Sequence, residues 1–284
     1  NYANQVSVVG WDAPLRLPVE GGPFSATFYA APGPAIHRNL RVYAQIWDAA
    51  NEKIAASEEI ELLRWLYPPG VWQAGDLVPY TLTMEVPPGL PAGAYYLVAG
   101  LRDYRQRPLA VLGADGVTPV GEQAVVGVVK VPRPPLALPG DLRPVDASLG
   151  SAIRLAGYTI STPEGQPLEA LSTGQSALVT LYWQATGRPA ADYTVFVHLT
   201  DRADTLLAQS DVQPADGQYP SGIWEAGEIV PSTHLITAPP GAAGPFMLYT
   251  GLYGYPSFER LPVTQDGVGQ ADGRVLLGGL DQAR

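Results

Sequence analysis

Short stretches of alternating apolar and polar residues dominate this chain. From Tyr193 to Leu199, Val195, Val197 and Leu199 fall on one side while Phe196 and His198 fall on the other, the period of two that marks a half-buried strand. Ala177 to Gln184, Tyr95 to Leu101, Met247 to Leu252, Ala124 to Val131 and Arg274 to Leu280 have the same character, rich in β-branched and aromatic residues and bounded by Gly, Pro and Asp. Helical periodicity is scarce: only Ala49 to Leu66, through Ile54, Ile60, Leu62, Leu63 and Leu66, predicts as much as a turn or two. Roughly seven or eight strands per half, separated by frequent turn signals, predict an all-β fold of antiparallel sandwiches of immunoglobulin or fibronectin-III type.

The halves repeat one another. Residues 67–79 recur at 219–231, where Tyr67, Pro68, Gly70, Trp72, Ala74, Gly75, Val78 and Pro79 become Tyr219, Pro220, Gly222, Trp224, Ala226, Gly227, Val230 and Pro231. Upstream, Val42 to Asp48 match Val195 to Asp201; downstream, Gly100 and Leu101 match Gly251 and Leu252, and Val111 matches Val263. Val9, Gly10 and Trp11 mirror Ala156, Gly157 and Tyr158. The pattern predicts two tandem sandwiches related by internal duplication. Five prolines between Pro132 and Pro144 predict a stiff connector there. The expected domains are therefore a first sandwich over 1–131, a linker over 132–144 and a second sandwich over 145–284.

Composition agrees with a packed, turn-rich protein: 46% of residues are hydrophobic, with 31 Gly and 29 Pro. A net charge of −10, with Lys53 and Lys130 the only lysines, argues against nucleic acid and anionic membranes as partners. No apolar run approaches the length of a membrane span, so no membrane insertion by this segment is expected. The chain has no cysteine, which rules out the inter-sheet disulfide of antibody domains and leaves the redox compartment open. Asn1 reads as the start of a mature chain or an excised fragment.

Catalytic and metal-binding patterns are weak. His37, His198 and His234 are scattered and lie in no metal-ligand spacing. His198 has Asp201 and Asp211 close in sequence, but Gln45 stands at its matched position, which points to a structural role. Asp76 and Glu228 follow the Ala-Gly turns and read as turn stabilisers. Asp266 and Asp272, each followed by glycine, form the one weak calcium candidate. No cofactor is expected.

Aromatic residues supply the remaining candidates. Trp72 and Trp224, with Tyr67, Gly75, Tyr219 and Gly227, read as a structural motif closing one end of each sandwich. Trp47, Trp65, Trp183 and Phe258 occur in one copy only, so the shared fold does not demand them. They are the candidate ligand-binding rings, able to stack on sugar faces. Pro91 to Tyr95 predicts a tyrosine corner in the first copy alone, because Phe246 holds the matched place in the second.

Leu155, Gly157 and Tyr158, Leu181 to Trp183, Val195 to Leu199, Asp211 and Pro214, Tyr219 to Glu228, Gly251 to Tyr253 and Arg260 to Val263 carry a resemblance over most of 145–265, looser in the first half. The second half resembles the soluble β-sandwich regions of large bacterial membrane proteins similar to family 39, dolichyl-phosphate-mannose-type glycosyltransferases, common in Chloroflexi. The resemblance implies an extracytoplasmic accessory module, at the cell surface or secreted, and transfers no catalytic residue. Together these features lead to a non-catalytic tandem module acting as a spacer or recognition domain, with polysaccharide or other surface proteins as partners. One alternative is a homopolymer, a surface filament or layer built through strand-edge contacts; a second is an unrecognised hydrolase.

Overall fold

The computed structural model describes residues 1–36, 40–62 and 67–282. It divides into two compact units, Asn1–Arg133 and Pro134–Arg284. Both are all-β: among the described residues the helical segments are short 3-10 turns at Pro69–Val71, Pro214–Gly217 and Ser221–Ile223. The described part of the expected helix, 49–62, instead carries strands Lys53–Ala56 and Ile60–Glu61, whose residues pair with a neighbouring strand.

The first unit contains β1 (Val6–Asp12), β2 (Gly22–Pro32), β3 (Arg41–Trp47), β4 (Lys53–Ala56), β5 (Ile60–Glu61), β6 (Val78–Val86), β7 (Gly93–Arg102), β8 (Val111–Leu112), β9 (Pro119–Gly121) and β10 (Gln123–Val131). One antiparallel sheet runs β1-β2-β6 and a second β10-β7-β3-β4, with β5 also on β3. Strict alternation along β6, every second residue buried, is what a sheet with one wet face requires. Phe24, Phe28, Tyr80 and Leu82 from the first sheet and Val42, Ile46, Leu97 and Leu101 from the second form one apolar cluster. Each such side chain contributes roughly 1.5–3 kcal/mol by leaving water.

The second unit contains β11 (Arg143–Leu149), β12 (Ile153–Ser161), β13 (Ala170–Leu171), β14 (Ser176–Ala185), β15 (Tyr193–Thr200), β16 (Leu206–Val212), β17 (Ile229–Thr237), β18 (Phe246–Gly254), β19 (Val263–Gln265), β20 (Val268–Gln270) and β21 (Val275–Gln282). Its sheets run β17-β14-β12-β11-β19-β20 and β13-β21-β18-β15-β16. Val179, Leu181 and Val230 from one and Val195, Val197, Leu199 and Leu252 from the other are withdrawn from solvent, as in a sandwich-like pair of sheets. The expected linker is shorter at its end than its prolines suggest, because β11 begins at Arg143.

Matched residues recur in matched local geometry. The β1–β2 ladder slips between Val8 and Gly10 and the β12–β14 ladder between Leu155 and Gly157. Gly157 sits at φ +154 with the Arg143 carbonyl 2.5 Å from where a Cβ would stand, so no side chain fits that bulge. The hairpins after β3 and β15 share one device. Asp48 accepts the amides of Ala50 and Glu52 at 2.9 and 2.8 Å, and Asp201 accepts those of Ala203 and Thr205, both at 2.8 Å.

Candidate functional site

The repeated loops form clamps. Tyr67 donates its hydroxyl to Asp76 Oδ2 at 2.6 Å, the Gln73 amide reaches the same oxygen at 2.7 Å, and Trp72 Nε1 donates to the Tyr67 carbonyl at 2.8 Å. Tyr219, Glu228, Glu225 and Trp224 repeat this set at 2.8, 2.9 and 3.0 Å. The Gln73 amide and then the Tyr67 hydroxyl hold the Asp76 carboxyl below the ordinary carboxylate range. Gly75 and Gly227, at φ +95 and +91, make the turn that brings the carboxylate back. Both carboxylates thus serve their own loops.

The four single-copy rings separate. Trp183 is a correction: it is wholly buried, and its Nε1 donates to Ser232 Oγ at 2.9 Å inside the second unit, so no external ligand can stack on it. The physical reason is volume exchange. Trp183 and Val230 are cross-strand partners, as are Ala30 and Val78. Where the first unit fills its interior with Tyr80 stacked on Phe28 beside small Ala30, the second has small Ser232 beside large Trp183. Trp47 is half-buried and donates Nε1 to Gln45 Oε1 at 2.8 Å. Trp65 and His37 lie outside the described residues. Phe258 alone of the described rings is open, at 63% exposure.

Phe258 borders a patch on the outer face of the β15–β18 sheet. Strand register sets its layout: Asp211, Phe196 and Gly251 form one row, Gln209, His198 and Tyr249 the next, and Thr194 with Tyr253 the row on the other side. Phe196 lies over Gly251, where an added Cβ would come within 2.5 Å of the ring. Arg260 covers Phe196 with its guanidinium carbon 4.7 Å from the ring centre. Rings then continue in file, Phe196 to Tyr253 at 6.3 Å, Tyr253 to Phe258 at 5.6 Å, and Phe258 to Tyr255 edge-on at 5.7 Å. Tyr255 is 76% exposed.

Two features make this file unusual. Phe258 holds φ +58, a left-handed conformation uncommon for a bulky residue, at the turn position where Gln106 of the first unit holds φ +65. In addition, Asp211 and Arg260 are close enough for their charges to interact, yet among the described residues neither has an ion-pair partner. Arg260 donates only to the Asp272 carbonyl, at 2.9 Å, and Asp211 accepts only from Gln209, at 3.3 Å. Asp211 is exposed, but partial shielding by its neighbours raises its carboxyl, against the pull of Arg260. Burial, then Arg260 and Arg274, lower the His198 imidazole to about 4, so it stands neutral near pH 7. Arg274 is fully engaged, forked onto Asp204 at 2.8 and 2.7 Å and bonded to Asp272.

The calcium candidate is corrected on the same grounds. Asp272 is bound by Arg274, and Asp266 closes a turn at φ +49 with its amide on the Asp146 carbonyl. Among the described residues no group of three His, Cys, Asp or Glu gathers at metal-binding range. Arg260, Tyr253, Tyr255 and Asp211 are the patch residues that the sequence reading passed over. The signal available was the change from Arg102 to Tyr253 next to the shared Gly-Leu, with Pro108 replaced by Arg260.

No protein-family model matches the chain, and no curated protein matches it. Among solved structures it is similar to a beta-glucuronidase of Bacteroides uniformis, at 10% identity over 86% of this chain and 26% of that one, with a TM-score of 0.28. It is also similar to a calcium-binding mutant of beta-glucuronidase 2 from the same organism, at 12% identity over 89% and 27%, with a TM-score of 0.26. The chain spans about a quarter of the length of these structures.

Proposed function

We infer that this protein is a non-catalytic, extracytoplasmic recognition module of the bacterial cell surface, two immunoglobulin-like sandwiches descended from one duplicated domain. The first serves as a spacer and the second binds glycan on its outer sheet face. Descent from one domain is supported by the matched loop clamps, the matched Asp48 and Asp201 hairpins and the matched glycine bulges. The extracytoplasmic setting rests on the family resemblance of the second half.

The glycan reading rests on one observation: Phe258 is solvent-exposed, held at positive φ, and aligned with Tyr253 and Tyr255 beside polar groups. An open ring offers a pyranose its C–H face, and neighbouring hydrogen-bonding groups orient the hydroxyls. Exposed aromatic rings grouped beside polar residues, unlike single scattered ones, are the kind of surface that marks an interaction site. A printed glycan array tests this with wild type and with Phe258→Ala and Tyr255→Ala, both surface truncations that leave the sandwich interior intact. Binding that falls about tenfold or more in Phe258→Ala supports the reading; binding indifferent to both substitutions refutes it.

A further inference from the structure

The two outer sheet faces carry a carboxylate at the same place, and only one of them is neutralised. In the first unit Arg41 pairs with Glu61 and Val42 with Ile60, so the same register carries Glu59 to the side of Tyr43. In the second unit Asp211 pairs with Phe196, the residue that matches Tyr43. Glu59 is held by Arg41 at 2.8 Å and by Arg102 at 3.3 Å. The residues matching those arginines are Thr194 and Tyr253. Where Glu59 has two cations, Asp211 thus has a hydroxyl and an aromatic ring, while Arg260, from the opposite arm of the hairpin, reaches Phe196 instead.

The result is a separated carboxylate and guanidinium around an aromatic file, with a neutral imidazole and the Gln209 amide next in line. An unpaired opposite-charge pair of this kind suits a ligand that donates to one group and accepts from the other. Hydroxyl groups do both. A ligand carboxylate would meet Asp211 at close range on a chain of net charge −10, and like charges brought together repel, the more so as the ligand displaces the water that screens them.

We propose that Asp211 and Arg260 are the specificity residues of the second unit's outer face, reading the hydroxyls of a neutral oligosaccharide stacked along Phe258 and Tyr253 and rejecting uronates. This rests on the glycan reading and adds to it the class of sugar and the groups that select it. In the proposed complex the Asp211 carboxylate accepts from sugar hydroxyls, Arg260 donates to neighbouring oxygens, and neutral His198 and Gln209 line the adjoining row.

The test is an array of neutral oligosaccharides and their uronate-containing counterparts, probed with the whole chain and with Asp211→Asn, Arg260→Gln and Phe258→Ala. The expected result is neutral hits only, each weakened about tenfold or more by Asp211→Asn and by Arg260→Gln, with uronate signal rising in Asp211→Asn as the like charge is removed. Both side chains are solvent-exposed, so melting temperatures serve as the folding control, and Asp211→Glu retains the selectivity against uronates. Hits led by uronates overturn the assignment and leave the glycan reading standing. So do neutral hits that need Phe258 but ignore Asp211 and Arg260. An array without hits, or hits that survive Phe258→Ala, removes both.

Discussion

The outer faces of the two units follow one plan to different ends. Each lays an aromatic ring over a strand glycine, Tyr43 over Gly100 and Phe196 over Gly251, and each covers that ring with an arginine, Arg102 at 5.4 Å and Arg260 at 4.7 Å. In the first unit the polar groups then close on themselves. Arg41 and Arg102 share Glu59, Gln123 donates to the Tyr43 hydroxyl at 2.9 Å, and Trp47 bonds Gln45. In the second, Thr194 and Tyr253 stand where the arginines would be, and the turn places Phe258 where the first unit has Gln106, both at positive φ. The first face is self-satisfied; the second leaves separated charges and an open ring at its surface. Which of the two results is decided by a few side chains on an unchanged sheet.

Acid separates the units most strongly, through their interiors. His234 is fully buried, with Nδ1 3.2 Å from the Ser210 carbonyl and Nε2 3.3 Å from Ser232 Oγ, while Leu82 holds its matched place in the first unit. Burial, opposed by the Ser210 carbonyl and Asp216, lowers the imidazole from 6.5 to about 4. Between those values the unfolded chain binds the extra proton. The stability tied to neutral His234 is therefore complete above about pH 6.5, declines as pH falls, and is spent near pH 4. At about 1.4 kcal/mol per pKa unit the loss is on the order of 3 kcal/mol. Peptide-resolved hydrogen exchange in rising urea, compared at about pH 7 and about pH 5, should show the second unit weakening and the first nearly unchanged. His234→Leu should weaken that response without abolishing it, because His198 in the same unit is likewise lowered to about 4 by burial; equal weakening of both units would show that other groups govern it.

The contacts of ring on glycine provide a smaller effect. An added Cβ at Gly100 would lie 2.2 Å from Tyr43 Cζ, and one at Gly251 2.5 Å from Phe196 Cζ and 2.8 Å from the Gly273 carbonyl. Gly100→Ala and Gly251→Ala should each destabilise by roughly 1–3 kcal/mol in thermal melts. Gly251→Ala should be the worse, because a backbone oxygen yields less readily than a ring. Only Gly251→Ala should also weaken the proposed glycan binding, since displacing Phe196 disturbs Arg260. Equal binding losses from both substitutions would mean the two faces do not differ as described.

Strand positions followed from alternation: Tyr193 to Leu199 places Val195, Val197 and Leu199 on one face and Phe196 and His198 on the other, as the period of two requires, although Phe196 is itself buried beneath Arg260. Matched loops were visible because each needs the same Tyr, Trp and Gly to close. Trp183 was misread because alternation assigns a residue to a face without saying which face is wet, and a residue unique to one copy looks specialised when its partner's change is ignored. Reading Trp183 together with Ser232 against Ala30 and Tyr80 would have placed it inside. Phe258 stands out in the sequence by its uniqueness, but its setting does not, because Asp211 and Arg260 are 49 positions apart and come near one another only through sheet register and the folding back of the β18 hairpin.

The corner before β7 and β18 gives the smallest effect and the finest contrast. Tyr95 donates its hydroxyl to the Pro91 carbonyl four residues back, at 2.9 Å. In the second unit Phe246 holds the ring position and has no hydroxyl, yet the carbonyl four residues back, Ala242, accepts from Thr173 Oγ1 at 3.0 Å. One acceptor is thus satisfied locally in one unit and by a loop distant in sequence in the other. Tyr95→Phe should cost the first unit about 1 kcal/mol, because the corner is largely shielded from water. Thr173→Val, at an exposed site where water replaces the lost donor, should cost the second unit no more than about 0.5 kcal/mol. Urea melts of the two variants check the order. A Thr173→Val loss as large as that of Tyr95→Phe would mean that the borrowed hydroxyl ties down its loop as firmly as the built-in one.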